Sequence, residues 1–415
     1  MKPDMVLMAR LREATLQLMK DGPLAATASI REALAQHNPD SVQDTSRSVA
    51  TPEMKDLNAA PAWTGSSAAA GPEAEEAPMA SAVQGLKAMA AAGLPDIAAL
   101  VAQHGITLPK SVAEAAAGRR RAPLRAPPLP DGARYVALSY EGPAGQRNYK
   151  LYIPSTCTGQ PAALLVMLHG CTQDADDFAA GTRMNRLAEE AACLVVWPEQ
   201  SQQANSSRCW NWFSAADQQR GKGEPALIVG IVRQVMANHP VDSARICIAG
   251  LSAGGAMAAV VGALYPEVFH AVGVHSGLPF GAAHDLPSAL QSMRTGASGT
   301  HRHGSGPKVI VMHGDRDATV HPANGQHIVA AAAASHSGSA PVSQTGKAPG
   351  GRRYTRSRYQ DGNGQVIAEH WVLHGAGHAW AGGSADGTYT DCAGPDASRA
   401  MLQFFGLLPR REGSS

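Results

Sequence analysis

Arg245-Ile246-Cys247-Ile248-Ala249-Gly250-Leu251-Ser252-Ala253-Gly254-Gly255-Ala256-Met257 is the stretch that decides the fold class. An apolar run of strand length ends at a glycine, and a helix-like segment, Ala253 to Leu264, begins at once. G-x-S-x-G carries meaning in that context, between a buried strand and a helix. The turn is so tight that only small residues fit beside the serine, which lifts its hydroxyl clear of the sheet. The adjoining N–H groups point where a helix N-terminus favours negative charge. Ser252 is therefore the candidate nucleophile.

Outward from this stretch the pattern repeats. Short aliphatic runs occur at Tyr149 to Ile153, Leu164 to Leu168, Leu194 to Trp197, Ala271 to His275, Lys308 to Met312 and Val366 to Leu373. Helix-like segments lie between them, including Pro225 to Asn238 and His321 to Ala334. Unbroken apolar strands alternating with helices predict an α/β domain over residues 131–410, with a mostly parallel, doubly wound sheet covered on both faces. Gly/Ser-rich stretches at about 296–306 and 335–351 read as surface insertions.

A serine hydroxyl is a poor nucleophile until an imidazole takes its proton, and that imidazole needs a carboxylate to fix its tautomer. In doubly wound sheets with a nucleophilic serine the chain order is Ser, acid, His. The run Lys308 to Met312 leads into His313-Gly314-Asp315-Arg316-Asp317, and Asp317 is preferred as the acid. Asp315 reads as a turn or capping residue. Val366 to Leu373 leads into His374-Gly375-Ala376-Gly377-His378-Ala379-Trp380. There His378, flanked by glycines, is the candidate base, with His374 a structural residue at the strand end. An oxyanion needs two N–H donors. Ala253, directly after the serine, supplies one, and Cys171 in His169-Gly170-Cys171-Thr172-Gln173 is the candidate for the other.

Composition narrows the remaining classes. The 415 residues are 44% hydrophobic and 17% charged, enough for a sizeable core. A net charge of +1 provides no global field to draw nucleic acid or an anionic membrane. No apolar stretch approaches the ~20 residues of a membrane span. The 16 histidines include His374 and His378, but the glycines between them break the helix that would put both on one face, so no metal site is expected. No cofactor is required. Six cysteines are too few for a disulfide scaffold.

Residues 1–36 read as a helical hairpin, and 37–130 as a mostly disordered linker holding a short helical pair at 82–105. Arg119, Arg120, Arg121 and Arg125 stand among prolines without aromatic neighbours, which favours a solvated linker over a polyanion-binding arm. Met5 to Leu18 is interrupted by Arg10, Arg12 and Glu13, so no secretory leader is expected. The location read from that is cytoplasmic, with an extracellular one as the alternative.

Taken together, His169-Gly170-Cys171-Thr172-Gln173, Pro198-Glu199-Gln200 and Cys209-Trp210-Asn211-Trp212-Phe213 resemble the esterase family of poly(3-hydroxybutyrate) depolymerases. Gly250 to Met257 and Gly375 to Trp380 complete the series in the order seen there. The resemblance covers about 131–410. It implies an α/β-hydrolase fold and a Ser252–Asp317–His378 triad cleaving carboxylic esters, poly(3-hydroxybutyrate) or its oligomers among them. It also implies a Cys171–Cys209 disulfide, which a reducing cytosol would oppose, and an acyl cleft lined by Trp212 and Trp380, with Trp210 beside them. Neither a secretory leader nor a C-terminal polymer-binding module is expected, which weighs against action on crystalline polymer. Feruloyl and acetyl-xylan esterases share the motifs and stay open as alternatives. So do a serine peptidase and a protein that docks to polyester granules through its N-terminal helices.

Overall fold

The computed structural model describes residues 129–297, 306–334 and 340–409. The expected helical hairpin at 1–36, nearly all of the linker and the helical pair at 82–105 lie outside the described residues, as do 298–305 of the first Gly/Ser-rich stretch.

The apolar runs form the middle of a ten-stranded sheet. In chain order its strands are β1 (Arg134–Gly142), β2 (Gly145–Ile153), β3 (Ala162–Leu168), β4 (Cys193–Pro198), β5 (Val241–Leu251), β6 (Ala271–His275), β7 (Lys308–Gly314), β8 (Val342–Lys347), β9 (Arg353–Gln360) and β10 (Val366–Leu373). Across the sheet the order is β1-β2-β4-β3-β5-β6-β7-β10-β9-β8. The six central strands, β4 to β10 in that order, are parallel neighbours. Antiparallel pairs extend both edges. A separate two-residue pair, β11 (Trp380–Ala381) with β12 (Thr390–Asp391), follows the last long strand.

The central strands are apolar throughout because both faces are covered. On β3, Leu164, Val166 and Leu168 join one core and Ala163, Leu165 and Met167 the other. The first core is closed by α3 (Gly223–Asn238), α4 (Ala253–Leu264), α5 (Leu286–Thr295) and α6 (Ala323–Ala334). The second is closed by α1 (Ala175–Thr182), α2 (Met184–Ala191) and α7 (Ala397–Phe405). Phe178 and Trp197 meet edge to face there, while Met401, Leu402 and Phe405 pack beneath the strands. Each large side chain buried this way contributes about 1.5–3 kcal/mol.

The winding positions the site. From β3 the chain crosses by α1 and α2 to β4 on one side, then returns by α3 on the opposite face to β5 on the other side. The direction of winding reverses between β3 and β5, where loops at the carboxyl ends of the strands splay apart and leave a crevice. Leu168 pairs with Gly250 there, which sets His169 to Gln173 beside Ser252.

The second Gly/Ser-rich stretch is not wholly an insertion. Val342–Lys347 is the exposed edge strand β8, paired with β9. Water on both of its faces removes the hydrophobic alternation that would have announced it.

Candidate active site

Five neighbouring strands deliver the site in spatial order: β3 brings His169 to Gln173, β5 brings Ser252, β6 ends in His275, β7 leads to Asp317 and β10 leads to His378. Ser252 sits at φ 56, ψ −121, a strained conformation for a residue with a side chain. Its neighbours show why they are glycines. A Cβ on Gly250 would lie 2.4 Å from the Gly254 carbonyl carbon, and one on Gly254 would lie 2.1 Å from the Leu168 carbonyl oxygen. The Ser252 N–H donates to the His275 carbonyl at 2.9 Å, which fastens the turn to β6.

Asp317 is buried and surrounded by donors. Its Oδ1 accepts the N–H groups of Thr319 and Val320, each at 2.9 Å. Its Oδ2 lies 2.8 Å from His378 Nδ1 and 3.4 Å from His313 Nε2. Burial alone would push this carboxyl up, but the hydrogen bonds from His313 and His378 outweigh it and hold the group well below the ordinary carboxylate range. With a carboxylate on its Nδ1, His378 keeps a proton there and leaves Nε2 with a free lone pair, the tautomer a general base requires. The Ser252 hydroxyl and His378 Nε2 share no hydrogen bond among the described residues. Such contacts are commonly long before substrate binds.

Asp315 belongs to a different pair. Its Oδ2 meets His374 Nδ1 at 3.0 Å and its Oδ1 accepts the Gly375 N–H at 2.7 Å, which braces the loop that carries His378. His374 is held from its other nitrogen by Thr355 Oγ1 at 2.8 Å.

The Ala253 and Cys171 N–H groups have no internal acceptor among the described residues. The Cys171 loop is tightly specified: the Gly170 N–H donates to Gln173 Oε1 at 2.9 Å, and Thr172, at φ 66, donates its N–H to the Ser207 carbonyl at 2.7 Å. Cys171 is joined to Cys209 by a disulfide, with their Cα atoms 4.2 Å apart. His169 accepts the Gln200 N–H on Nε2 at 3.1 Å and donates from Nδ1 to the Gly170 carbonyl at 2.8 Å. Burial pushes this imidazole down to about 4, so it stays neutral in that network.

Sequence reasoning missed several supporting groups. His275 accepts the Ala381 N–H on Nε2 at 3.0 Å, so one residue ties the serine turn to the chain just beyond His378. Burial, joined by the neighbouring His313 and His378, pushes His275 down to about 3. Gln200 accepts from buried Arg147 at 2.5 Å and donates to the Cys209 carbonyl at 2.9 Å and to Glu224. The Pro198-Glu199-Gln200 segment was the only signal that could have pointed to it.

The expected acyl-binding role of Trp380 is corrected. Only 1% exposed, it stacks on His275 with ring centroids 5.1 Å apart and donates its indole N–H to Ser398 at 3.1 Å. Trp210 and Trp212 are likewise buried in the core, Trp212 packing edge to face on Phe213. None of the three offers an open face to a ligand. No cluster of three or more His, Cys, Asp or Glu among the described residues is arranged to hold a metal ion, and no helix among them is long and apolar enough to cross a membrane.

Known proteins resemble this chain to differing extents. The family described as esterase PHB depolymerase matches residues 147–346, a span that includes Ser252 and Asp317 and stops short of His378. Poly(3-hydroxyalkanoate) depolymerase C of Paucimonas lemoignei is 34% identical over 242 residues, covering 55% of this chain and 57% of that protein. Feruloyl esterase B of Neurospora crassa is 28% identical over 285 residues, covering 64% and 89% respectively. The chain thus spans little more than half the length of the depolymerase. The solved acetyl xylan esterase from Aspergillus awamori has the same fold, with a TM-score of 0.53 at 20% identity, over 66% of this chain and 99% of that one.

Proposed function

We propose, from the match of residues 147–346 to the family described as esterase PHB depolymerase, that the protein is a serine ester hydrolase using Ser252, His378 and Asp317. The observation that carries the proposal is the 2.8 Å Asp317–His378 contact on the strand edge that also presents Ser252 on its strained turn.

The steps follow from the groups present. His378 Nε2 takes the Ser252 proton as the oxygen attacks the ester carbonyl. The Ala253 and Cys171 N–H groups stabilise the tetrahedral oxyanion. Asp317 stabilises the imidazolium, which then protonates the departing alcohol. Water, deprotonated by the same imidazole, attacks the acyl-enzyme and releases the acid. No cofactor takes part.

For substrate, the reading that fits best is a short-acyl ester, poly(3-hydroxybutyrate) or its oligomers. Feruloyl and acetyl-xylan esters form the second reading, favoured by the coverage of nearly the whole feruloyl esterase at 28% identity. With all three tryptophans in the core, acyl selectivity falls to other groups at the crevice. A disulfide in the oxyanion loop persists best in an oxidising compartment, which favours the extracellular location over the cytosolic one. Docking to polyester granules through residues 1–120 remains a separate proposal.

The test is kcat/KM of the full chain on a panel of p-nitrophenyl esters of rising acyl length, hydroxybutyrate oligomers, methyl ferulate and a matched anilide. Turnover of an ester, its loss in S252A and no anilide cleavage are expected. Near-full ester turnover by S252A would remove the assignment.

A further inference from the structure

His313, at the end of β7, has no part in the mechanism above, yet it touches the same carboxylate oxygen as His378. Its side chain is 1% exposed. Nε2 lies 2.9 Å from the Val320 carbonyl oxygen and 3.4 Å from Asp317 Oδ2. Both neighbours are acceptors, so Nε2 must carry the proton and share it between them. Nδ1 is buried and has no partner. On that side α6 presses close: a Cβ on Gly325 would lie 3.0 Å from Nδ1. The ring is held edge-on between α6 and the acid loop, with one donor directed at both ends of the Asp317–Val320 turn.

We propose that His313 is a positioning residue that divides Asp317 Oδ2 with His378 and so sets how strongly that imidazole holds a proton. The inference rests on His378 being the base. Asp317 Oδ1 is already filled by two backbone N–H groups, so only Oδ2 can vary. A second donor on Oδ2 draws negative charge away from His378 and lowers its proton affinity. Losing that donor raises it. The other titratable groups facing the cluster are His275 from β6 and His370 from β10, both pushed by burial to about 3 and about 4 and therefore neutral. The sole titratable residue on α6 is His327. No other charged side chain among these groups can substitute for the His313 donor.

The test uses H313Q and H313N in the full chain. A glutamine amide nitrogen falls near the position of Nε2, whereas that of asparagine falls near Nδ1 and is too short to reach Asp317. H313N should raise the acid-limb apparent pKa of kcat/KM by about half a unit to one unit and lower kcat about tenfold. H313Q should return the acid limb to its wild-type position. Loss of kcat in both variants with the acid limb unmoved would reduce His313 to a packing residue and overturn the proposal. Long-range 15N–1H spectra of the wild-type protein give a second measurement that needs no variant to fold. They should show His313 protonated on Nε2 alone; protonation on Nδ1 overturns the proposal. The same spectra follow the His378 titration in H313N without substrate. A wild-type chain inactive on every ester therefore sinks the hydrolase assignment, while an unmoved His378 titration sinks this one.

Discussion

Replacing Gly254 with alanine tests whether the packing of the serine turn against β3 holds the site together. The added Cβ would sit 2.1 Å from the Leu168 carbonyl oxygen and 2.5 Å from that of His169, both backbone atoms that cannot rotate away. Real contacts of this kind stay beyond 3.0 Å, so the two segments must separate by at least 0.9 Å (3.0 − 2.1). That displacement falls between Ser252 and the loop that carries the Cys171 N–H. A misplacement of roughly 1 Å costs about 10²-fold in rate, and loss of one oxyanion donor about 10²- to 10³-fold. G254A should therefore lower kcat on p-nitrophenyl butyrate by about two to three orders of magnitude. Overpacking should also cost about 1–3 kcal/mol of stability.

Gly377 provides the matched control. A Cβ there meets nothing within 4 Å, and its φ lies outside the left-handed region. G377A, one residue from His378, should leave kcat/KM within about threefold and the melting temperature nearly unchanged, as for a substitution away from tight packing. Steady-state kinetics and thermal unfolding on both variants suffice. Wild-type kcat in G254A, or equal losses in both variants, would refute the packing argument.

D317N puts an amide donor against the Nδ1–H of His378 and favours the wrong tautomer, so kcat should fall by about 10⁴ with the melting temperature little changed; a loss under tenfold would place the acid elsewhere. C209S opens a 38-residue loop, which chain entropy values at up to about 4 kcal/mol. It should melt well below wild type and lose kcat through the freed Cys171 loop, whereas an unchanged denaturation curve would count against the bond. His169, His275 and His370 have folded values of about 4, 3 and 4, below the unfolded 6.5. The unfolded chain therefore binds their protons first, and stability is lost as pH falls from 6.5 towards 4. Glu224, pushed up to about 7 by burial and Asp217, works in the opposite sense by one proton. Near pH 5 these four groups leave a net difference of about two protons, a slope of about 2.7 kcal/mol per pH unit. Urea unfolding between pH 4.5 and 6.5 measures it, and a flat or inverted profile would show that the imidazoles are not buried neutral.

Much of this was legible along the chain because the signals were local. Unbroken aliphatic runs marked the central strands, since burial on both faces leaves no polar alternation. Ser252 and His378 were marked by glycines, and the structure shows the cause at Gly250 and Gly254 as close backbone approach. Asp317 was separable from Asp315 by its depth in the loop. Other elements depend on partners remote in sequence. Strand β8 is polar because it forms an exposed edge, and β9, between it and β10, is only half-buried. Trp380 reads as a binding residue beside His378, yet its indole is engaged by Ser398 and stacked on His275, neither of which its neighbours reveal. His275, His313 and Gln200 acquire their roles only when β6, β7 and the loop after β4 meet at the sheet edge.

Covalent capture of the nucleophile tests the central claim most directly. The full chain is treated with diethyl p-nitrophenyl phosphate, and its intact mass and peptide map are read. One diethylphosphoryl group on Ser252 is predicted, with labelling strongly slowed in H378A. An adduct on another serine, or an unlabelled Ser252 in a protein that still turns over esters, would contradict it.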